Sequence, residues 1–428
     1  MEAIGAGACF GIFLGKVCPE ALELAGGKAL VEKRAKILVL CPDLPFPIRA
    51  GGQMRMASLI QALSEFASVK VAFIAPQTTE ETISWARERN VSLEQLVPRN
   101  RSLFERWSER LGILFARSNL RYRLHERTFF NQAFKSYSPD LVWLETPYLL
   151  RYAIKWKEKV PLVVDYWGTS EGANRICKVT RGPLKIWKWL FWRAALRGEM
   201  QFAPQVENIV CVSSLDAAFF RNLAPESRIW AIPNGILTKN TQRPTVAVAD
   251  DPSIMIFTGD MSYLPNIDAA VWFTEQVFPI ILREVPWAKM QIVGREPRGE
   301  VLALRGHQNV EVKGHMPDLA ASIAAAGFYI LPMRLGSGIR SKLFDVFPLG
   351  KAIVSTSTGA EGLELHHDVN CIIADSAEDF AKGCIRLLKN ENERHRLGKA
   401  VSLLASETYS QENVNRLVRK AVIDILRS

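Results

Sequence analysis

Two things the sequence lacks set the first limits. None of its 428 residues belongs to an uninterrupted run of 18 or more apolar positions, the length a membrane-spanning helix needs. The seven cysteines (Cys9, Cys18, Cys41, Cys177, Cys211, Cys371 and Cys384) form no Cys-x-x-Cys pair and no Cys/His cluster. That spacing supports neither a zinc site nor a disulfide framework and points to a reducing, cytoplasmic compartment. Ala3 to Gly15 is apolar enough for a secretory core, but only Met1 and Glu2 precede it, so the positive charge of a leader is missing. Residues 1–35 therefore read as a loosely ordered extension. What remains is of globular composition, 48% hydrophobic and 23% charged, at a length that suits two or three domains.

From Lys36 onward short Val/Ile/Leu-rich runs alternate with longer helical patterns. The first series is Lys36–Cys41, Val69–Ala75, Leu141–Leu144, Leu162–Asp165, Ile209–Ser213 and Ile229–Ile232. The second is Ile254–Thr258, Met290–Val293, Val310–Lys313, Phe328–Leu331, Ala352–Ser355 and Cys371–Ala374. Strands apolar on both faces belong to parallel sheets covered by helices, so the fold class is α/β with two doubly wound domains. Pro233-Asn234-Gly235 ends the first series, and the polar stretch after it carries no apolar period. The expected division is domain one at 36–235, a linker at 236–250, domain two at 251–410, and an amphipathic helix over 411–428 that could pack on either.

Three loops carry the candidate chemistry. Gly51-Gly52 follows the first strand and leads into a helix expected near Met54, where backbone N–H groups can approach an anion. Gly259 opens the corresponding loop of domain two, which runs to Asn266. The third is Gly336-Ser337-Gly338-Ile339-Arg340-Ser341-Lys342, with Asp345 beyond it. Helical spacing predicts Arg340 and Lys342 in a first turn, where helices favour acids, so a bound anion would compensate them. These parts suit a nucleoside diphosphate, with phosphates at the glycines and cations and a ribose hydroxyl at Asp345.

Together with Ile232-Pro233-Asn234-Gly235, Ile292-Val293-Gly294, Val312 through Asp318, Gly350 through Thr356 and Gly359-Ala360-Glu361-Gly362-Leu363, these segments resemble glycosyltransferase family 4, of the GT-B fold. The resemblance runs from about residue 36 to 410. It implies a retaining, metal-independent hexosyltransferase, with no cofactor beyond its nucleotide-sugar substrate and two Rossmann-like domains facing across a cleft. The lack of an Asp-x-Asp metal motif agrees. It further implies that Arg340 and Lys342 stabilise the departing diphosphate, and that the base lies near Gly294 and Met316. Gly51, Gly52, Gly259, Gly336, Gly338 and Asp345 would complete the donor site. The family's paired acids fall on Ser337 and Asp345, so the first is replaced by serine and the second shortened. A degenerate nucleotide-sugar binder and a GT-B epimerase therefore stay open as alternatives. Glu145, Asp165 and Glu199 are domain-one carboxylates within reach of an acceptor.

Charge is uneven. Residues 1–240 hold 33 Lys and Arg against 22 Asp and Glu, whereas 241–428 hold 21 against 22. The excess gathers in 99–127 and 184–197, where cations interleave with aromatics as in Lys185-Ile186-Trp187-Lys188-Trp189. Such stretches suit the surface of an anionic membrane and hence a lipid-linked or glycan acceptor. No nucleic-acid motif accompanies them.

Overall fold

The computed structural model describes residues 34–48, 50–98, 120–170, 184–237, 250–336 and 338–428. The expected extension, most of the linker, residues 99–119 of the basic stretch, and Ser337 lie outside the described residues. Residues from Ala35 to the C-terminus form one compact unit.

Two sheets organise it, and every pairing is parallel. The first has strands β1 (Lys36–Cys41), β2 (Ser68–Ile74), β3 (Ser92–Leu96), β4 (Leu141–Leu144), β5 (Leu162–Tyr166), β6 (Asn208–Cys211) and β7 (Arg228–Ala231), in the order β3-β2-β1-β4-β5-β6-β7. The second has β8 (Asp251–Thr258), β9 (Lys289–Val293), β10 (Val310–Gly314), β11 (Ala326–Leu331), β12 (Ile353–Ser355) and β13 (Ile372–Ile373), in the order β10-β9-β8-β11-β12-β13. Central strands such as β1, β4 and β11 are buried on both faces, which is why they were visible as continuous apolar runs. Strand β3 has no such run: Ser92-Leu-Glu-Gln-Leu96 is a half-exposed edge strand, and its polar residues hid it from the sequence.

Strand order reverses between β1 and β4 in one sheet and between β8 and β11 in the other. Ligands of doubly wound sheets bind at such switch points, outside the carboxyl ends of the strands. The loops that follow β1, β4, β8 and β11 carry Gly51-Gly52, Glu145, Gly259 and Gly336 through Lys342, respectively.

Helix α1 (Gly51–Ser64) begins at the glycines themselves, three residues earlier than expected. It brings Arg55 into the interior of the first sheet. The guanidinium bonds Asp165 through both Nε (3.0 Å) and Nη2 (2.6 Å), and each partner is at most 1% exposed. Its Nη1 donates to the Ile232 carbonyl at the exit of this sheet. The last helix (Gln411–Leu426) returns to α1, burying Val414, Val418, Ala421, Val422 and Ile425 in the same core. Ser58 ties the crossing together: its hydroxyl accepts from Gly235 N and donates to Gln411 Oε1, both at 2.9 Å. The C-terminal helix thus packs on domain one, a choice its own periodicity left open.

Arg55 is the cation that the buried acids of domain one lean on. Removing one member of a buried pair strands the other, at a cost of about 3–5 kcal/mol. Arg55→Ala should therefore lower unfolding free energy by about that amount in urea denaturation, and a change near zero would show that water reaches Asp165.

Candidate functional site

Glycine decides the geometry of the cleft. A Cβ on Gly294 would stand 1.6 Å from the Gly259 carbonyl oxygen, so the loops after β9 and β8 meet backbone to backbone. Gly259, at φ +156°, lies under two side chains: a Cβ there would sit 2.9 Å from Lys342 Nζ and 2.7 Å from Asn266 Nδ2. A Cβ on Gly52 would strike the Trp167 ring at 2.5 Å, and one on Gly51 would meet Ser341 Oγ at 3.1 Å. Gly338, at φ +72°, faces the Trp167 carbonyl. The loops named from the sequence are thus brought together: Gly51 and Gly52 from one sheet, Gly259, Gly294 and Gly338 from the other.

The expected helix carrying Arg340 and Lys342 in its first turn is corrected. The helix there is a single turn, Leu343–Val346, followed by a 3-10 turn over Phe347–Leu349. Gly336 (φ +97°) and Gly338 (φ +72°) keep the preceding residues in a loop, so Arg340 precedes the helix and Lys342 caps it, while Pro348 and the left-handed Gly350 end the turns that follow. The cations are held by burial and by neighbours instead. Lys342 Nζ donates to Asn266 Oδ1 (2.7 Å) and lies 4.3 Å from the centre of the Phe257 ring. Arg340 is 8% exposed and donates to the Thr358 carbonyl, and Gly336 lies against its guanidinium. Burial, with Arg340 nearby, lowers the Lys342 ammonium to about 7. Burial raises the Asp345 carboxyl to about 6. Met316 is partly buried against the domain-two core beside Gly314, whose carbonyl accepts from Gly294 N. Asp260 stiffens the loop after β8 through Ser262 and Arg295.

The three domain-one acids differ sharply in their surroundings. Asp165 is consumed by Arg55. Glu145 is fully buried with no hydrogen-bond partner on either oxygen. Burial first, then the neighbouring Asp165 charge, pushes it well above the carboxylate range, against the pull of Arg55 and the Trp167 indole. Glu199 rises to about 7 through burial, although Ser170 favours its charged form. Its Oε2 is unpartnered, as are Thr146 Oγ1, Arg151 Nε and Tyr166 Oη near the carboxyl ends of β4 and β5. Orphaned polar atoms in that number ask for water or a polar ligand. Glu361 lies within the Gly359-to-Leu363 motif, which by itself assigns it no role. The structure sets it in the cleft with Gly338 and Asp216.

Because the Gly259 carbonyl occupies the space a side chain would need, Gly294→Ala should displace the loop after β8 and with it Lys342. Melting and nucleotide titration of that variant should both show losses; unchanged binding would mean that the loops reseat without cost.

Among described residues no group of three His, Cys, Asp or Glu side chains is arranged to hold a metal ion. No described helix is long and apolar enough to cross a membrane. Comparison with known proteins gives the same picture as the geometry. A curated relative from Klebsiella pneumoniae, an uncharacterized 44.6 kDa protein in a cps region, is 24% identical over 402 residues, 89% of this chain and 98% of its own. Among solved structures, Anabaena HepE in complex with UDP and glucose is 12% identical and superposes with a TM-score of 0.58, covering 91% of this chain and all of its own. Sucrose-phosphate synthase from Thermosynechococcus elongatus is 11% identical with a TM-score of 0.66, covering 92% and 100%. WaaG, a glycosyltransferase involved in lipopolysaccharide biosynthesis, is 15% identical with a TM-score of 0.58, covering 91% and 99%. Two family models account for most of the chain: Glycosyltransferase Family 4 over residues 49–240 and Glycosyl transferases group 1 over 252–390. With two facing Rossmann-like sheets and glycine loops at both switch points, the chain belongs to the family 4, group 1 glycosyltransferases of GT-B fold.

Proposed function

We propose that this glycosyltransferase retains configuration and moves a hexose from a nucleoside-diphosphate sugar to a glycan or lipid-linked acceptor in cell-surface polysaccharide synthesis. The observation that carries this reading is the pair of cations, Arg340 buried and Lys342 partly buried, beside glycine loops that admit a ligand's backbone-close approach. The Lys342 ammonium bonds an amide oxygen, and desolvation of such a cation is costly, so a diphosphate beside it supplies compensating charge. The HepE structure binds UDP and glucose, which makes UDP the first nucleotide to try. The descriptions of WaaG and of the Klebsiella relative favour the polysaccharide setting.

In this mechanism the acceptor oxygen attacks the anomeric carbon on the face from which the diphosphate departs. The new glycosidic C–O bond forms as the C–O bond to phosphate breaks. The acceptor proton passes to a diphosphate oxygen, and the electron pair leaves with the nucleotide. Lys342 and Arg340 stabilise the charge gathering on that leaving group. Asp345 accepts from a ribose hydroxyl, and Gly51, Gly52, Gly259, Gly294, Gly336, Gly338 and Met316 line the donor's path. Ser337 contributes to the same loop. The unpartnered polar atoms at the ends of β4 and β5, with Glu145 and Glu199, suit an acceptor rich in hydroxyls. Helix Leu184–Phe202 exposes Ile186, Trp189 and Met200, with Arg193 stacked over Trp189, which suits peripheral contact with an anionic membrane.

The test is nucleotide binding as a function of pH. Lys342 sits near 7 in the free protein, and a bound diphosphate would raise it. The complex then holds a proton that the free protein lacks above that pH. Affinity for UDP should fall as pH climbs through about 7 to 9, by at most about tenfold per unit. Lys342→Met should bind weakly at every pH, without that slope, and lose about 10²–10³ in turnover. Calorimetry across this range reads both. A flat wild-type profile would remove Lys342 from the diphosphate, and no UDP, GDP or ADP binding at all would favour a partner-binding relative that has lost catalysis.

A further inference from the structure

Beyond the donor loop the cleft opens into a cavity of about 350 Å³. Most of its wall comes from the helix Ser214–Leu223, which follows β6, and from the loop after β5. Thr169, Ser213, Asp216 and Phe219 line it from domain one; Gly338 and Glu361 close it from domain two. Contact across the cleft is tight here. Gly362, at φ +75°, leaves only 3.4 Å between a would-be Cβ and Ser213, and Ser214 Oγ reaches Glu364 Oε1 at 3.3 Å.

The lining mixes two chemistries. Phe219 is partly buried, held edge-on by Phe220 at 5.1 Å, and so offers a fixed aromatic surface. Asp216 and Glu361 bring carboxylates from opposite domains. Asp216 accepts from Ser213 Oγ at 2.7 Å; burial raises its pKa, and the nearby Glu361 charge raises it further. Glu199, with its buried, unpartnered Oε2, stands within electrostatic reach of Asp216 and beside Ser170, next to Thr169. An apolar platform flanked by carboxylates fits a ring with apolar faces and a rim of hydroxyl donors. It does not fit a phosphate or an acidic sugar, whose charge the acids would repel.

We propose that this cavity is the subsite for a saccharide ring of the acceptor, selective for a neutral over an acidic sugar. Phe219 packs on the ring while Asp216 and Glu361 accept from its hydroxyls. Because one acid comes from each domain, the subsite is complete only when the cleft is closed, as it is in this structure. This subsite rests on the glycosyl-transfer reading, and places the acceptor ring beside Gly338, next to the donor loop.

The experiment is saturation-transfer NMR on the full chain saturated with UDP, using methyl glucoside, methyl galactoside and methyl glucuronide as probes, with a UDP titration alongside. The expected result is binding of at least one neutral glycoside and none of the glucuronide. Phe219→Ala and Glu361→Gln should each weaken the neutral glycoside about tenfold while UDP affinity stays at the wild-type value. Should Phe219→Ala melt early, Glu361→Gln alone carries the test, since the amide keeps the shape and removes the charge. Equal binding of glucuronide and glucoside overturns the selectivity, and full saccharide affinity in the variants overturns the site. Wild-type protein that binds UDP but no glycoside overturns this subsite and leaves the donor reading standing. Wild-type protein that binds no UDP removes the donor reading and the subsite with it.

Discussion

Everything in the cleft depends on backbone meeting backbone where the strands end. Two parallel sheets direct their carboxyl ends toward a shared space, and the loops that leave them must be thin if a ligand is to enter. Gly294 against the Gly259 carbonyl is the tightest of these meetings, since 1.6 Å leaves no room for any side chain. Gly52 beneath the Trp167 ring repeats the constraint within domain one, and Gly338 beside the Trp167 carbonyl carries it across to domain two. Trp167 thereby becomes a wedge that both halves rest on, and its indole also leans toward Glu145 and Asp165. A single aromatic side chain connects the packing of the cleft with the electrostatics of domain one.

The two halves bury opposite charge. Domain one holds Glu145, Asp165, Glu199 and Asp216, with Arg55 committed to Asp165. Domain two holds Arg340 and Lys342 beside a carboxyl, Asp345, that burial has pushed to about 6. Desolvation is the largest cause of the shift for Glu145, Glu199, Lys342 and Asp345 alike. Beside the charged Arg55–Asp165 pair, the fold thus holds Glu199, Lys342 and Asp345 near the point of titration. Such groups respond strongly to a ligand, because a nearby phosphate or hydroxyl changes their charge at little cost. On the proposed reading the division also separates kinds of ligand, anions at the domain-two loops and hydroxyl donors in domain one.

Much of this was legible in the amino-acid order, for a specific reason. Strands buried on both faces must be apolar throughout, so β1, β4, β5, β8 and β11 stand out without any partner being known. Edge strand β3 has one solvated side and polar residues, and it did not. Gly51, Gly52, Gly259 and Gly336 through Lys342 could be found because a glycine run after a buried strand is locally unusual. The helix expected to hold Arg340 begins only at Leu343, because helical spacing does not register that Gly336 and Gly338 take left-handed backbone and keep the preceding residues in a loop. The motif around Glu361 is silent on its surroundings, since Asp216 and Phe219, which line the same cavity, belong to the other domain.

The sequence by itself determined two series of buried strands, the positions of the glycine loops, the uneven charge and the membership those motifs imply. These are local properties, written in a few adjacent residues each. Tertiary structure decided what no window of residues contains. It chose domain one for the C-terminal helix, through Ser58 and Gln411. It paired Arg55 with Asp165 and left Glu145 without a cation of its own. It dehydrated Lys342 until its ammonium fell to about 7, and it set Asp216 opposite Glu361. Each of these is fixed by burial and by distance between segments far apart in the chain, quantities that come into being only when the two sheets have closed on one another.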